Sequence, residues 1–297
     1  MLPKSADGSM RLRVLGHSRR MAIPILTYHS QNISGDEYAN NDHVALAEDL
    51  ELLSASGWRI VPLAEVVNMV LRPENDWPRK IAAIAFDDGS DFDFNDLPHP
   101  VAGPQRSMLN IMRDFNGAKP SRQPTLHATA FVIVSPDARV ILDRTCMLGT
   151  RWWNDGWWSA AVASGFMDIG SHSWDHCHET LPMIAQRHQQ KGNFWGIDTE
   201  ADADAQIRAA GELIMRIAPN RGAQLFAYPY GQANEFLVRE YFPRQAIDAS
   251  KCFVKAAFST DAEPVTRRSD RWNLPRFVCG HDWKSNDDLA ALLRSAA

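Results

Sequence analysis

From Ile23 onward the chain alternates short apolar runs with stretches of helical spacing, and several of the runs are apolar on both faces. A strand of that kind has to be covered on both sides. Parallel sheets wrapped by helices achieve this, and one-sided antiparallel sheets do not. The class that follows is α/β with parallel strands, in about seven strand-helix units. Strands are predicted at Ile23–Thr27, Trp58–Val61, Ile81–Phe86, Thr129–Val134, Met167–Gly170, Gln224–Tyr228 and Phe253–Phe258, with a short one at Leu274–Val278.

Helix signals fall between them. Asp42 is placed to cap a helix that turns Leu46, Leu50 and Leu53 to one face and stops at Gly57. Thr199 with Asp202 opens a helix carrying Ile207, Ile214 and Ile217 inward as far as Pro219, Trp158 starts one running to Gly165, and Ser285 with Asp288 opens the last. Residues 90–124 break the rhythm, with five prolines around one helical segment, Gln105–Phe115. The expectation is an insertion beside the cleft within one domain spanning 21–297, such that shortening Leu97–Gln123 changes substrate preference more than stability. Residues 1–20 are expected to be a poorly ordered extension.

Composition excludes several classes. The 31 Lys and Arg against 36 Asp and Glu give a net charge of −5 without a basic block, so nucleic acid is not an expected partner. Cys146, Cys177, Cys252 and Cys279 contain no C-x-x-C pair and read as mostly buried thiols. No apolar run reaches the length of a membrane span, and the first twenty residues lack an apolar signal core, so the expected location is cytoplasmic. Met10 and Met21 are alternative starts, and a start upstream would leave room for an export signal.

Three segments carry chemistry. The strand Ile81–Phe86 runs into Asp87-Asp88-Gly89, and adjacent carboxylates at a strand end point to different sides, one toward a cation and the other toward water. Alone, Asp-Asp-Gly reads as a turn. Gly170-Ser171-His172-Ser173-Trp174-Asp175-His176 adds two histidines at the i, i+4 spacing that aims both imidazoles at one metal when the segment is helical. With a strand-end carboxylate they make the three N/O ligands of an open zinc site. Phe226-Ala227-Tyr228-Pro229-Tyr230-Gly231 ends a third strand; Pro229 stiffens the backbone, so the Tyr230 N–H is a candidate oxyanion donor. Read alone, that segment is as well explained as an aromatic turn.

Taken in order, Phe86–Gly89, His172–His176 and Tyr228–Gly231 resemble the three motifs of the NodB-type polysaccharide deacetylases, carbohydrate esterase family 4. The resemblance implies a distorted (β/α) barrel of about seven parallel strands and metal-dependent removal of N-acetyl groups from a saccharide. It implies Asp87 as base, Asp88, His172 and His176 as ligands of one divalent ion, expected to be zinc, and the Tyr230 backbone as oxyanion donor. Two features depart from the family: Ala227 stands where an arginine usually supports the base, and the usual C-terminal Leu-x-His is absent. Pro24–Ser30 and Asn273-Leu274-Pro275-Arg276-Phe277 resemble instead the branch with rearranged motifs that includes poly-N-acetylglucosamine deacetylases. That branch implies His29 as the acid and Arg276 as the support for Asp87, with His281 as the rival acid.

The parts imply a hydrolysis in which Asp87 takes a proton from the attacking water and a protonated histidine gives one to the departing amine. The alternatives are a hydrolase of a small non-sugar amide or imide, and a noncatalytic carbohydrate-binding relative. The cluster Trp152, Trp153, Trp157 and Trp158 suits sugar stacking, with one or two of the indoles in the core. His178, His188 and Arg267-Arg268 read as solvated surface.

Overall fold

The computed structural model describes residues 21–186, 193–247 and 253–297. Its strands are β1 (Ile25–Tyr28), β2 (Arg59–Ile60), β3 (Ile81–Phe86), β4 (Leu97–His99), β5 (Gly103–Gln105), β6 (Ala128–Val132), β7 (Met167–Ser171), β8 (Leu225–Ala227), β9 (Ala256–Phe258) and β10 (Phe277–Val278). The main sheet is parallel throughout, in the order β10-β1-β3-β6-β7-β8-β9, with β2 paired to the first residues of β3. β1, β3, β6, β7, β8 and β9 are buried at every position, as expected of strands covered on both faces.

The sheet closes into a distorted (β/α) barrel of seven parallel strands. Closure runs through Leu274–Val278: Leu274 bridges Phe258 of β9, and Phe277 and Val278 pair with Leu26 and Thr27 of β1. Pro275 has no N–H to continue a ladder, so the predicted strand divides there and Arg276 sits at the break. Because the strands run in parallel, their C-terminal ends share one rim, where barrel enzymes place their chemistry.

The helices are α1 (Asp42–Ala55), α2 (Leu63–Val70), α3 (Met108–Ala118), α4 (Pro136–Cys146), α5 (Trp158–Ala163), α6 (Pro182–Gln186), α7 (Glu200–Ala203), α8 (Ala209–Ile217), α9 (Phe242–Ile247) and α10 (Asn286–Ala296). α1 buries Leu46, Leu50 and Leu53 as predicted, but its cap is Asn41, whose side chain accepts from the His43 N–H at 2.9 Å. Asp42 is instead spent on the neighbouring loop, where its Oδ2 accepts the His29 N–H at 2.7 Å. Thr199 and Ser285 cap as predicted, accepting from Asp202 N and Asp288 N at 3.2 Å. The helix from Thr199 passes through a π turn at Asp204–Arg208 between α7 and α8, and Ile217 ends it only partly buried.

Residues 90–124 do more than border the cleft. They hold the antiparallel hairpin β4–β5, which the prolines hid from the sequence reading, and α3, whose Met108, Leu109 and Met112 are fully inside the main core. The Gln123 side chain donates to Trp58 O at 2.7 Å and accepts from Ile60 N at 2.9 Å, doing for β2 what a neighbouring strand would. Shortening across this segment is therefore expected to cost stability, where the sequence predicts chiefly a change in substrate preference. Residues 1–20, His188 and Cys252 lie outside the described residues.

Candidate active site

Strand register brings the three motifs together. Asp87 follows β3, and its N–H bonds to Tyr28 O at 3.0 Å. Asp88 takes the left-handed φ of 73°, which swings its carboxylate away from that of Asp87, and its carbonyl accepts from Trp153 Nε1 at 2.9 Å. Gly89 follows at φ 77°, where a Cβ would lie 2.5 Å from Val132 Cγ1, so only glycine fits this turn.

The His172–His176 segment is not helical, contrary to the premise of the i, i+4 reading. His172 extends directly from β7, while Ser173, His176 and Cys177 adopt φ of 71°, 62° and 47°. Side chains hold this irregular turn: His176 N–H bonds Ser173 Oγ at 2.9 Å, Cys177 N–H bonds Asp175 Oδ1 at 2.9 Å, and Gln206 Nε2 donates to the same Oδ1 at 2.8 Å. Non-glycine residues persist in that region only where surroundings fix them, and such places concentrate at functional sites.

The result is a three-residue donor set. Ligand atoms of Asp88, His172 and His176 all lie within 4.8 Å of one another, and Asp88 Oδ1 is 3.5 Å from His172 Nε2 and 3.6 Å from His176 Nε2. His172 Nδ1 lies 2.9 Å from Ala227 O, so Nδ1 carries the proton and Nε2 presents a lone pair toward Asp88. Burial, then the neighbouring His172, pushes the His176 pKa down to about 3, which keeps that imidazole neutral as ligation requires. The donors therefore fit a divalent ion of the zinc type.

Asp87 is held differently. Arg276 Nη1 and Nη2 donate to its two oxygens at 2.7 and 2.8 Å, both side chains are buried, and Arg276 Nε donates to Ser259 O at 3.1 Å. Burial alone would raise the Asp87 pKa; the Arg276 charge and then His172 override it and hold the carboxyl well below the usual carboxylate range. Ala227 offers Asp87 no support from β8, and the guanidinium arrives from the Pro275 break instead.

The donor set and Asp87 open on a cleft of about 440 Å3, also lined by His29, Gln31, Trp153, Tyr230 and His281. His29 is half-buried, and its Nδ1 has no hydrogen-bond partner among the described residues. The rival His281 is largely exposed, with Nδ1 2.7 Å from Asp282 Oδ1. Tyr230 has φ 57° and ψ 15°, and its ring packs edge-on to His176 at 4.4 Å. His178, assigned to solvent on spacing, lines the same cleft 6.4 Å from the His176 ring. Of the four clustered tryptophans, Trp153, Trp157 and Trp158 are buried, and only Trp153 reaches the cleft. Cys177 and Cys279 are buried, but Cys146 is exposed on the cleft wall.

Asp93 is a residue that no motif singled out. It is fully buried, and neither oxygen has a hydrogen-bond partner among the described residues. Burial raises its pKa well above the usual value, Asp88, Asp87 and Asp91 add to the rise, and the Ser30 hydroxyl only partly opposes it. A raised carboxyl pKa contributes stability at pH below the unfolded value and loses it as pH climbs through the folded one. Asp93→Asn is therefore expected to raise the melting temperature at pH 8, by an amount equivalent to about 1–3 kcal/mol, and to have little effect at pH 4. A gain of equal size at both pH values would mean that the ionised form is not what costs stability.

No family model and no curated protein sequence matches the chain. Solved structures do. IcaB from Ammonifex degensii superposes with a TM-score of 0.60 at 19% identity over 93% of this chain and 98% of its own. The Streptococcus pyogenes deacetylase PplD, solved in complex with acetate, gives 0.57 at 15% over 92% and 99%. The de-N-acetylase from Aggregatibacter actinomycetemcomitans gives 0.57 at 14% over 91% and 99%. The chain thus has the barrel fold of these deacetylases along nearly its whole described length.

Proposed function

We propose that the protein is a metal-dependent deacetylase acting on an N-acetylated saccharide. The observation that carries this reading is the division of labour between adjacent carboxylates. Asp88 Oδ1 faces two imidazole nitrogens at 3.5 and 3.6 Å, while Asp87, gripped by Arg276, opens on the same cleft. The shared fold supports the same reading. Asp88, His172 and His176 would hold a divalent ion, expected to be zinc, which when bound supplies Lewis acidity and makes water a better acid.

The remaining steps belong to this chain's side chains. Asp87 Oδ2, 3.9 Å from His172 Nε2, takes the proton of the attacking water. The Tyr230 N–H donates to the developing oxyanion. His29 gives the departing amine its proton. Acetate release from acetylated chito-oligomers, measured beside a panel of cyclic imides and formamides, tests the substrate class. Release confined to the imides or formamides would move the assignment to a small-amide hydrolase, and inactivity on all substrates would favour a binding role.

Metal analysis of the purified protein is expected to give about one equivalent of divalent ion, and His176→Ala to lose most of it. Unchanged content in that variant would remove the site. His29→Ala is expected to lose roughly 10²- to 10⁴-fold on an acetamide and far less on an acetyl ester with a good leaving group, because only the amine needs the proton. Equal losses on the two substrates would make His29 structural, and a larger loss in His281→Ala would transfer the role there.

A further inference from the structure

The loop after β1 is pinned more firmly than its length requires. His29 N–H bonds Asp42 Oδ2 at 2.7 Å, Asn32 N–H bonds His29 O at 2.9 Å, and His43 Nε2 lies 2.8 Å from Ser30 O. The other His43 nitrogen is 2.7 Å from Arg106 O, which places the ring between the loop and the segment before α3. What these bonds immobilise is Gln31. Its side chain lies where the 440 Å3 cleft meets two neighbouring cavities of about 530 and 150 Å3.

Gln31 Nε2 donates to Asp88 Oδ2. The amide cannot be turned the other way, because a carboxylate oxygen only accepts and would repel Oε1. Two consequences follow. Asp88 has one oxygen engaged by Gln31, which leaves Oδ1 to face the two histidines. Gln31 Oε1, turned away from Asp88, is buried with no hydrogen-bond partner among the described residues, on a residue that lines the cleft. A buried acceptor without a partner, on a side chain that lines the cleft, fits a donor that arrives with the ligand.

We infer that Gln31 is a positioning and specificity residue: its Nε2 holds the Asp88 carboxylate so that Oδ1 faces His172 and His176, and its Oε1 accepts the N–H of the scissile acetamido group. The second half rests on the deacetylase reading above, and the first only on the metal site of Asp88, His172 and His176. No motif marks Gln31, and the assignment comes from the amide's forced orientation and its unsatisfied oxygen.

Gln31→Met keeps the length and removes both hydrogen bonds, and Gln31→Ala serves in its place should the methionine variant fold poorly. Zinc affinity, measured on the whole protein by competition with a chelator, is expected to fall about 10- to 100-fold, as for removal of a partner that orients a ligand. At saturating zinc, kcat/KM on an N-acetylated chito-oligomer is expected to fall about tenfold, mainly through KM, with little change on the matching O-acetyl ester, which has no N–H to offer. The pH profile should keep its shape, which separates this loss from that of a proton donor. Unchanged zinc affinity would overturn the hold on Asp88, and equal losses on amide and ester would overturn the N–H contact. Were the wild type to release no acetate from any saccharide, the deacetylase reading would fail, and zinc affinity alone would decide the role of Gln31.

Discussion

Asp87→Asn is expected to lower turnover by roughly 10²- to 10⁴-fold, the usual contribution of a positioned base, while leaving metal content largely intact. The geometry behind this is that Asp88, His172 and His176 form the donor set without Asp87, whose own oxygens are both engaged by Arg276. Asparagine preserves the shape but cannot take a proton. Because the Arg276 charge holds the Asp87 pKa below the usual range, the carboxylate stays ionised through neutral and mildly acid pH. An acid limb in the rate profile near pH 4–6 would then belong to another group. The checks are steady-state kinetics beside metal analysis; loss of the ion together with activity would reverse the roles of Asp87 and Asp88.

The barrel was legible because its signal is local. Runs such as Ile81–Phe86 are apolar on both faces, and burial on both faces is what a wrapped parallel strand requires. Strand-end placement of Asp87 and His172 followed from the same runs. What the sequence did not reveal depends on contacts between distant segments. The i, i+4 spacing aims His172 and His176 at one metal only on a helix, yet their convergence comes from left-handed residues at Ser173, His176 and Cys177 braced by Gln206 on another element. Gln31 and Asp93 lack any spacing pattern; one matters because of a forced amide orientation and the other because of burial without a partner. The β4–β5 hairpin was missed because Pro98 and Pro104 argue against strands, although prolines are tolerated at unpaired edges.

Arg276→Met is expected to cost about 3–5 kcal/mol of folding stability, the largest stability effect of any single side chain at the site. Both partners are buried, so truncating one leaves the other as an uncompensated charge in the barrel interior. Methionine also forfeits the bond to Ser259 O and the stacking of the guanidinium 5.3 Å over Phe131. The same logic means that Asp87→Asn strands the Arg276 charge, so its loss of turnover has to be separated from loss of fold. The double variant Asp87→Asn with Arg276→Met removes both charges. It is expected to be more stable than the sum of the single losses allows, because a buried pair replaced as a unit avoids the stranded ion. It should remain inactive, since the base is gone. Denaturant unfolding of the four proteins gives the coupling directly. Additive losses would mean that Asp87 and Arg276 do not depend on each other, and the assignment of Arg276 as the support of the base would fall.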